Sequence, residues 1–158
     1  MTSARHITTN DRVRGAVRHL LRHDHVGLVQ LFDDVLALLR ENDRDQIRAA
    51  WTMFESALTA HLQAEEALIF PAFRMVDPVE VQALSNDHAR FRKNLDELGI
   101  AVDLHMVRAD AAREFIDSLK AHSKREDACM YPWAESHLDH VDEQRLHERL
   151  RAGHAARR

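Results

Sequence analysis

The stretch His61-Leu62-Gln63-Ala64-Glu65-Glu66-Ala67-Leu68-Ile69-Phe70-Pro71 returns in pattern as His122-Ser123-Lys124-Arg125-Glu126-Asp127-Ala128-Cys129-Met130-Tyr131-Pro132. Each copy has a histidine, a glutamate four residues later and an aromatic residue directly before a proline, and each histidine precedes its proline by ten residues. Upstream of each copy stands an Asp-His pair. His25 of Asp24-His25 lies 36 residues before His61, and His88 of Asp87-His88 lies 34 residues before His122. Such self-similarity marks two copies of one supersecondary unit. If the unit is a helical hairpin, two of them related by a pseudo-twofold make an all-α, up-down-up-down four-helix bundle with short connections.

The apolar periodicity supports helices throughout. The first seam is Val17, Leu21, His25, Leu28, Phe32, Val35, Leu39, and the second is Ile47, Trp51, Phe54, Leu58, His61, Glu65, Leu68. The third is Leu84, His88, Phe91, Leu95, Leu98, Val102, and the fourth is Phe115, Leu119, His122, Glu126, Cys129, Trp133. Steps of three and four residues are those of a helix with one buried face. The first helix is expected to start near Thr9 to Asp11, where Thr, Asn and Asp can cap it. Glu41 to Asp45 is a polar break. Pro71 and Pro132 should end or kink their helices. Asp77-Pro78-Val79-Glu80 reads as an N-cap, a first-turn proline and a reciprocal capping-box glutamate. Gly99 is a candidate early end for the third helix. The bundle is expected over residues 10–138, with 139–158 a polar C-terminal extension forming a short fifth helix and a frayed tail.

Composition narrows the function. A chain of 158 residues fits one domain with a substantial core. A net charge of −4 and an isoelectric point near 6.3 argue against nucleic acid as a partner. No apolar run approaches the roughly 20 residues of a membrane span, and Met1 to Asn10 has no signal-peptide core. Cys129 is the only cysteine, which suits a reducing cytoplasm and reads as a small core residue. A cytoplasmic location is therefore expected, with the oligomeric state open between monomer and dimer.

Twelve histidines are the compositional oddity, and four of them, with two glutamates, occupy core positions of the seams. His25, His61, Glu65, His88, His122 and Glu126 would converge from four helices, because residues at i and i+4 share a face. A single seam histidine is ordinary, but two glutamates and four histidines at one depth cost several kcal/mol per buried charge without compensation. A domain holds only about 5–15 kcal/mol of net stability. A cation would relieve that cost. Four imidazoles and two carboxylates suit iron, manganese or zinc, and carboxylates can bridge ions about 3.5–4 Å apart. The pseudo-twofold groups His25 with His61 and His88 with His122, with both carboxylates between. Glu66 and Asp127 follow the seam glutamates but lie off the seam and read as solvated or supporting carboxylates. Tyr131 matches Phe70 in the other half, so packing is its first reading and a hydrogen bond at the site its second. His6, His19, His23, His105, His137, His140, His147 and His154 mostly fall outside the seams and are expected on the surface.

The motifs D-H-V-G-L, H-L-Q-A-E-E-A-L-I-F-P, D-H-A-R-F and H-S-K-R-E-D-A-C-M-Y-P, spanning Leu21 to about Trp133, resemble those of the hemerythrin-like, or HHE cation-binding, family. The resemblance implies a non-haem di-iron centre with an oxo or hydroxo bridge and two bridging carboxylates. It implies binding of, or reaction with, dioxygen, peroxide or nitric oxide. The oxygen-carrying members have a further histidine where this chain has Arg92, and their final carboxylate corresponds to Asp127; in other members it corresponds to Glu126, which seam phase favours. The absent histidine points away from simple reversible oxygen carriage. Weak peroxidase, catalase-like or nitric-oxide turnover would be the enzymatic form of this reading. The alternative is iron or oxygen sensing, or metal handling, through metal-dependent folding and a partner. Iron storage fits poorly, since the ferritin-like pattern is carboxylate-rich.

Overall fold

The computed structural model describes residues 16–41 and 43–155. Every regular element among them is helical: α1 (Ala16–Glu41), α2 (Arg44–Leu68), α3 (Phe70–Phe73), α4 (Pro78–Asp103), α5 (Ala109–Ala128), α6 (Met130–His137) and α7 (His140–Ala155). The helix start expected near Thr9 to Asp11 lies outside the described residues. The four long helices form a ring in which α1 packs on α2 and α5, and α4 packs on the same two. With the short connections between successive helices, this is the up-down-up-down bundle. No described helix is long and apolar enough to cross a membrane.

The helix ends follow local chemistry. Asp43 caps α2 by accepting from the Gln46 N–H at 3.1 Å, and Asp77 caps α4 by accepting from the Glu80 N–H at 2.9 Å. The Glu80 carboxylate does not return to the cap as the capping box predicts; it accepts two hydrogen bonds from Arg125 of α5. Gly99 does not end α4. A Cβ there would lie 3.1 Å from the Trp51 indole nitrogen, so glycine serves a close approach of α2 and α4. The helix runs to Asp103 and closes with His105 at φ 54°, while the N–H groups of His105 and Met106 bond back to Val102 and Ala101. That is a Schellman-type end with histidine in the left-handed position more often held by glycine.

Both prolines kink rather than terminate. Lacking an N–H, each leaves a gap in the ladder. The chain breaks for one residue, at Ile69 and at Cys129, then resumes as α3 and α6. Cys129, expected in the core, is only half-buried at its kink. Burial, together with the Glu80 carboxylate, pushes its thiol up to about 11.

The core is two apolar clusters separated by a polar layer. One cluster includes Leu28, Phe32, Phe54, Leu58, Phe91, Leu95, Phe115 and Leu119. The other includes Val17, Leu21, Ile69, Phe70, Leu84, Met130, Tyr131, Leu146 and Leu150. The last two belong to α7. The expected polar extension is thus a 16-residue helix packed mainly along α2. Gly153 permits its approach, because a Cβ there would come within 2.3 Å of Ala60 Cβ. Val141, the other apolar residue of α7 outside this contact, stays exposed.

Candidate metal centre

The polar layer contains the six seam residues. His61, Glu65, His88, His122 and Glu126 are almost wholly buried and His25 is 8% exposed. Their ligand-capable atoms fall into two groups, each within 4.8 Å: His25, His61, Glu65 and Glu126, and Glu65, His88, His122 and Glu126. Both carboxylates are common to the two groups. Among the described residues these are the only such gatherings of histidine, cysteine and carboxylate. His19, His23, His140 and His147, by contrast, line an open surface groove between α1 and α7.

Each imidazole turns Nε2 toward the centre. His25 Nε2 is 3.3 Å from Glu126 Oε2, and His61 Nε2 is 3.4 Å from Glu65 Oε1. His88 Nε2 is 3.4 Å from Glu65 Oε2, and His122 Nε2 is 2.8 Å from Glu126 Oε1. None of these four approaches is a well-formed hydrogen bond. His61 Nε2, Glu65 Oε2 and Glu126 Oε1 are fully buried without a hydrogen-bond partner. A buried polar atom left unpaired costs about 1–3 kcal/mol. Three of them aimed at one centre, from a donor set of four nitrogens and two carboxylates, fit a cation.

Behind three of the rings stands a carboxylate. His61 Nδ1 donates to Asp24 Oδ2 at 2.7 Å, His88 Nδ1 to Glu66 Oε1 at 2.9 Å, and His122 Nδ1 to Asp87 Oδ2 at 3.2 Å. A proton held at Nδ1 leaves the Nε2 lone pair free to ligate, and such outer partners fix ring orientation. Each aspartate of an Asp-His pair thus serves the histidine of the next helix and not its own neighbour. The outer carboxylates are held in turn: Arg92 donates to both Glu66 oxygens at 2.9 and 2.7 Å, Arg90 donates to Asp87 Oδ1 at 2.8 Å, and His154 Nε2 donates to Asp24 Oδ1 at 2.8 Å.

A family model settles what this layer belongs to. The hemerythrin HHE cation binding domain matches residues 16–134 and again residues 79–156. The chain belongs to the hemerythrin HHE cation-binding family. No curated protein and no solved structure gives a significant match. Family membership and the buried His/Glu groups together point to a metal-binding helical bundle.

The electrostatics of this hemerythrin-like chain match a site poised to exchange protons for cations. Burial alone disfavours a charged His61, but Glu65 and Asp24 outweigh it and raise its pKa well above the usual imidazole value. Burial also opposes protonation of His88, yet Glu126, Glu65 and Glu66 raise it to about 10. Burial would push Glu126 up, whereas His122, His25 and His88 hold it well below the usual carboxylate range. Burial and the adjacent Glu126 work against ionising Glu65, and His61 and His88 overcome them.

Two further side chains reach the layer or its support. Of the two readings given to Tyr131, the hydrogen bond at the site is the one that the geometry adds to its packing. Its hydroxyl, fully buried, lies 2.7 Å from Glu65 Oε1, 3.0 Å from Glu126 Oε2 and 3.1 Å from His25 Nε2. Burial and the two glutamates push its pKa well above the ordinary phenol value, so it stays a hydrogen-bond donor. Phe70, its counterpart, lies against His88 with ring centroids 5.0 Å apart. His154 is exposed, as expected of a surface residue, and also reaches Asp24. Asp127 stays outside both groups and pairs with Arg18 at 2.9 Å. The paired aspartates of the Asp-His repeats carried the signal for the outer carboxylates, since repetition extended to the residue before each histidine.

Proposed function

We propose that this protein holds two iron ions in its core and binds or reacts with dioxygen, peroxide or nitric oxide there. His25, His61, Glu65 and Glu126 would hold one ion, and Glu65, His88, His122 and Glu126 the other. The observation that carries the reading is the sharing of both carboxylates by the two groups, the arrangement carboxylate-bridged metal pairs require. Iron at such a centre supplies one-electron redox chemistry toward small oxidants.

The chain's own residues set the terms. Asp24, Glu66 and Asp87 orient three imidazoles. Two apolar clusters keep the layer dry from both ends of the bundle. Tyr131 places one proton donor beside Glu65 and Glu126, within the layer. Arg92, where oxygen carriers resemble this chain except for a further histidine, carries only hydrogen-bond donors and cannot ligate; its guanidinium is committed to Glu66. One ion therefore has one fewer protein ligand, which favours reaction with an oxidant over reversible carriage.

The test is anaerobic loading with ferrous iron, metal analysis, then optical spectra on adding air, peroxide and nitric oxide. About two ions per chain and new absorption with at least one of these reagents are expected. One ion or fewer under saturating iron, or no spectral response, contradicts the proposal. An oxygen-dependent band that disappears under vacuum and returns with fresh air restores the carrier reading.

A further inference from the structure

Three of the four core imidazoles are held by a relay of the same form: a donor, a carboxylate, then the Nδ1 of the histidine. For His88 the relay is Arg92 to Glu66, and for His122 it is Arg90 to Asp87. Both donors lie on α4, four residues after His88 and three residues after Asp87. The third relay has no arginine. The donor to Asp24 is His154, which belongs to α7, outside the four-helix ring.

Asp24 is only 6% exposed and both its oxygens are engaged. It borders a groove between α1 and α7 that is also lined by His23, Gly27, Leu150 and His154. The position of His154 follows from how α7 docks. Leu146 and Leu150 are buried in the cluster below the polar layer, and Gly153 lets the helix backbone meet α2 at Ser56, Ala57 and Ala60. The residue after that contact is His154. Packing thus delivers one imidazole N–H to the outer oxygen of a carboxylate whose inner oxygen holds His61.

We infer that His154 is a positioning residue of the metal centre, and that α7, by carrying it, completes the outer support of His61 as Arg92 and Arg90 do for His88 and His122. The inference rests on the proposed metal site. A carboxylate with one fixed oxygen cannot swing, so the His61 ring it holds keeps its angle and its Nδ1 proton. Loss of the His154 N–H leaves Asp24 Oδ1 facing the groove and free to turn toward water.

The test uses the full chain and Co²⁺ alone as probe, with affinity measured by chelator competition and the exchangeable imidazole N–H signals read by paramagnetic NMR. His154→Ala is expected to weaken one Co²⁺ by about tenfold, the low end for loss of an outer partner. The N–H signal of His61 should broaden through exchange with water while those of His88 and His122 persist. His154→Gln, whose amide can donate to the same oxygen, should recover both. His147→Ala, on the same helix without a contact to Asp24, should resemble the wild type. Unchanged affinity and signals in His154→Ala overturn the inference. An equal loss in His147→Ala, or no recovery in His154→Gln, assigns the effect to helix packing and overturns it too. A wild type that takes up no Co²⁺ contradicts the metal site itself, a result distinct from all of these.

Discussion

Replacing Tyr131 with phenylalanine removes one oxygen from the middle of the polar layer and leaves the ring. Phe70 already occupies the corresponding place in the other half, beside His88, so the packing loss should be small. The hydroxyl has a single proton and two carboxylate oxygens within 3.0 Å, so one charge-assisted hydrogen bond is lost outright. Such bonds contribute about 1.5–3 kcal/mol. In the metal-free protein Tyr131→Phe should therefore destabilise by about 2 kcal/mol. At about 2–4 °C per kcal/mol for a chain of this size, the thermal midpoint should fall by about 4–8 °C. With iron bound, the same carboxylates have a cation to satisfy them, and the loss should shrink to under about 1 kcal/mol. Urea and thermal unfolding followed by circular dichroism, on metal-free and iron-saturated samples, measure both figures. An equal loss in the two forms would refute the reasoning, because it would place the hydroxyl's value in packing and not in carboxylate satisfaction.

Glu126→Ala should abolish binding of at least one iron, whereas Asp127→Ala should leave stoichiometry intact, since Asp127 pairs with Arg18 away from the layer; equal losses by metal analysis would remove Glu126 from the site. Iron binding at pH 7 should release protons, because His61 and His88 are held protonated in the metal-free chain and ligation needs them neutral. Titration calorimetry in two buffers of different ionisation enthalpy reads the number, and zero release contradicts it. Glu66, with burial opposing ionisation but His88 and Arg92 favouring it, is lowered from 4.5 to about 2. A carboxyl depressed on folding stabilises fully above its unfolded pKa, and that stability is lost as pH falls from about 4.5 through about 2. The acid slope of metal-free stability over that window should be shallower in Glu66→Gln, and an unchanged slope argues against it. Arg92→His should bind iron at least as tightly and show a different oxidised spectrum if the new imidazole ligates; a wild-type spectrum would show that the position does not reach the metal.

Much of this was legible in the sequence because the signal was periodic. Steps of three and four residues identified the four seams, and a duplicated His-x-x-x-Glu together with a duplicated Asp-His pair identified six residues that the fold brings into one layer. What escaped depends on how the helices are turned and packed against one another. Asp24 and Asp87 each support a histidine on another helix, a relation that depends on how neighbouring helices are turned. Tyr131 differs from Phe70 by one atom, and that atom's role shows only once Glu65 and Glu126 are placed around it. Gly99 looked like a stop because glycine favours helix ends, yet the Trp51 indole beside it decided the residue. His154 looked like a solvated tail because α7 has few apolar residues, but two leucines and one glycine suffice to dock it.

The division of the core into two apolar clusters also governs how the bundle opens. The cluster around Phe32, Phe54 and Phe115 takes in the hairpin connections from α1 to α2 and from α4 to α5, so part of its contacts close short loops while Phe32 and Phe115 meet across the bundle. The cluster around Leu21, Phe70, Tyr131 and Leu150 joins segments more than 100 residues apart, and its closure costs more chain entropy. Between them lies a layer whose cohesion, without cations, rests on hydrogen bonds and ion pairs and not on apolar burial. Amide exchange should then reveal two cooperative units, with residues 16–21, 69–84 and 130–155 exchanging as one and residues 28–58, 91–102 and 112–119 protected to a higher free energy. Cations bound across the layer would weld the two units into one, and the difference in protection between the ends of the bundle would vanish.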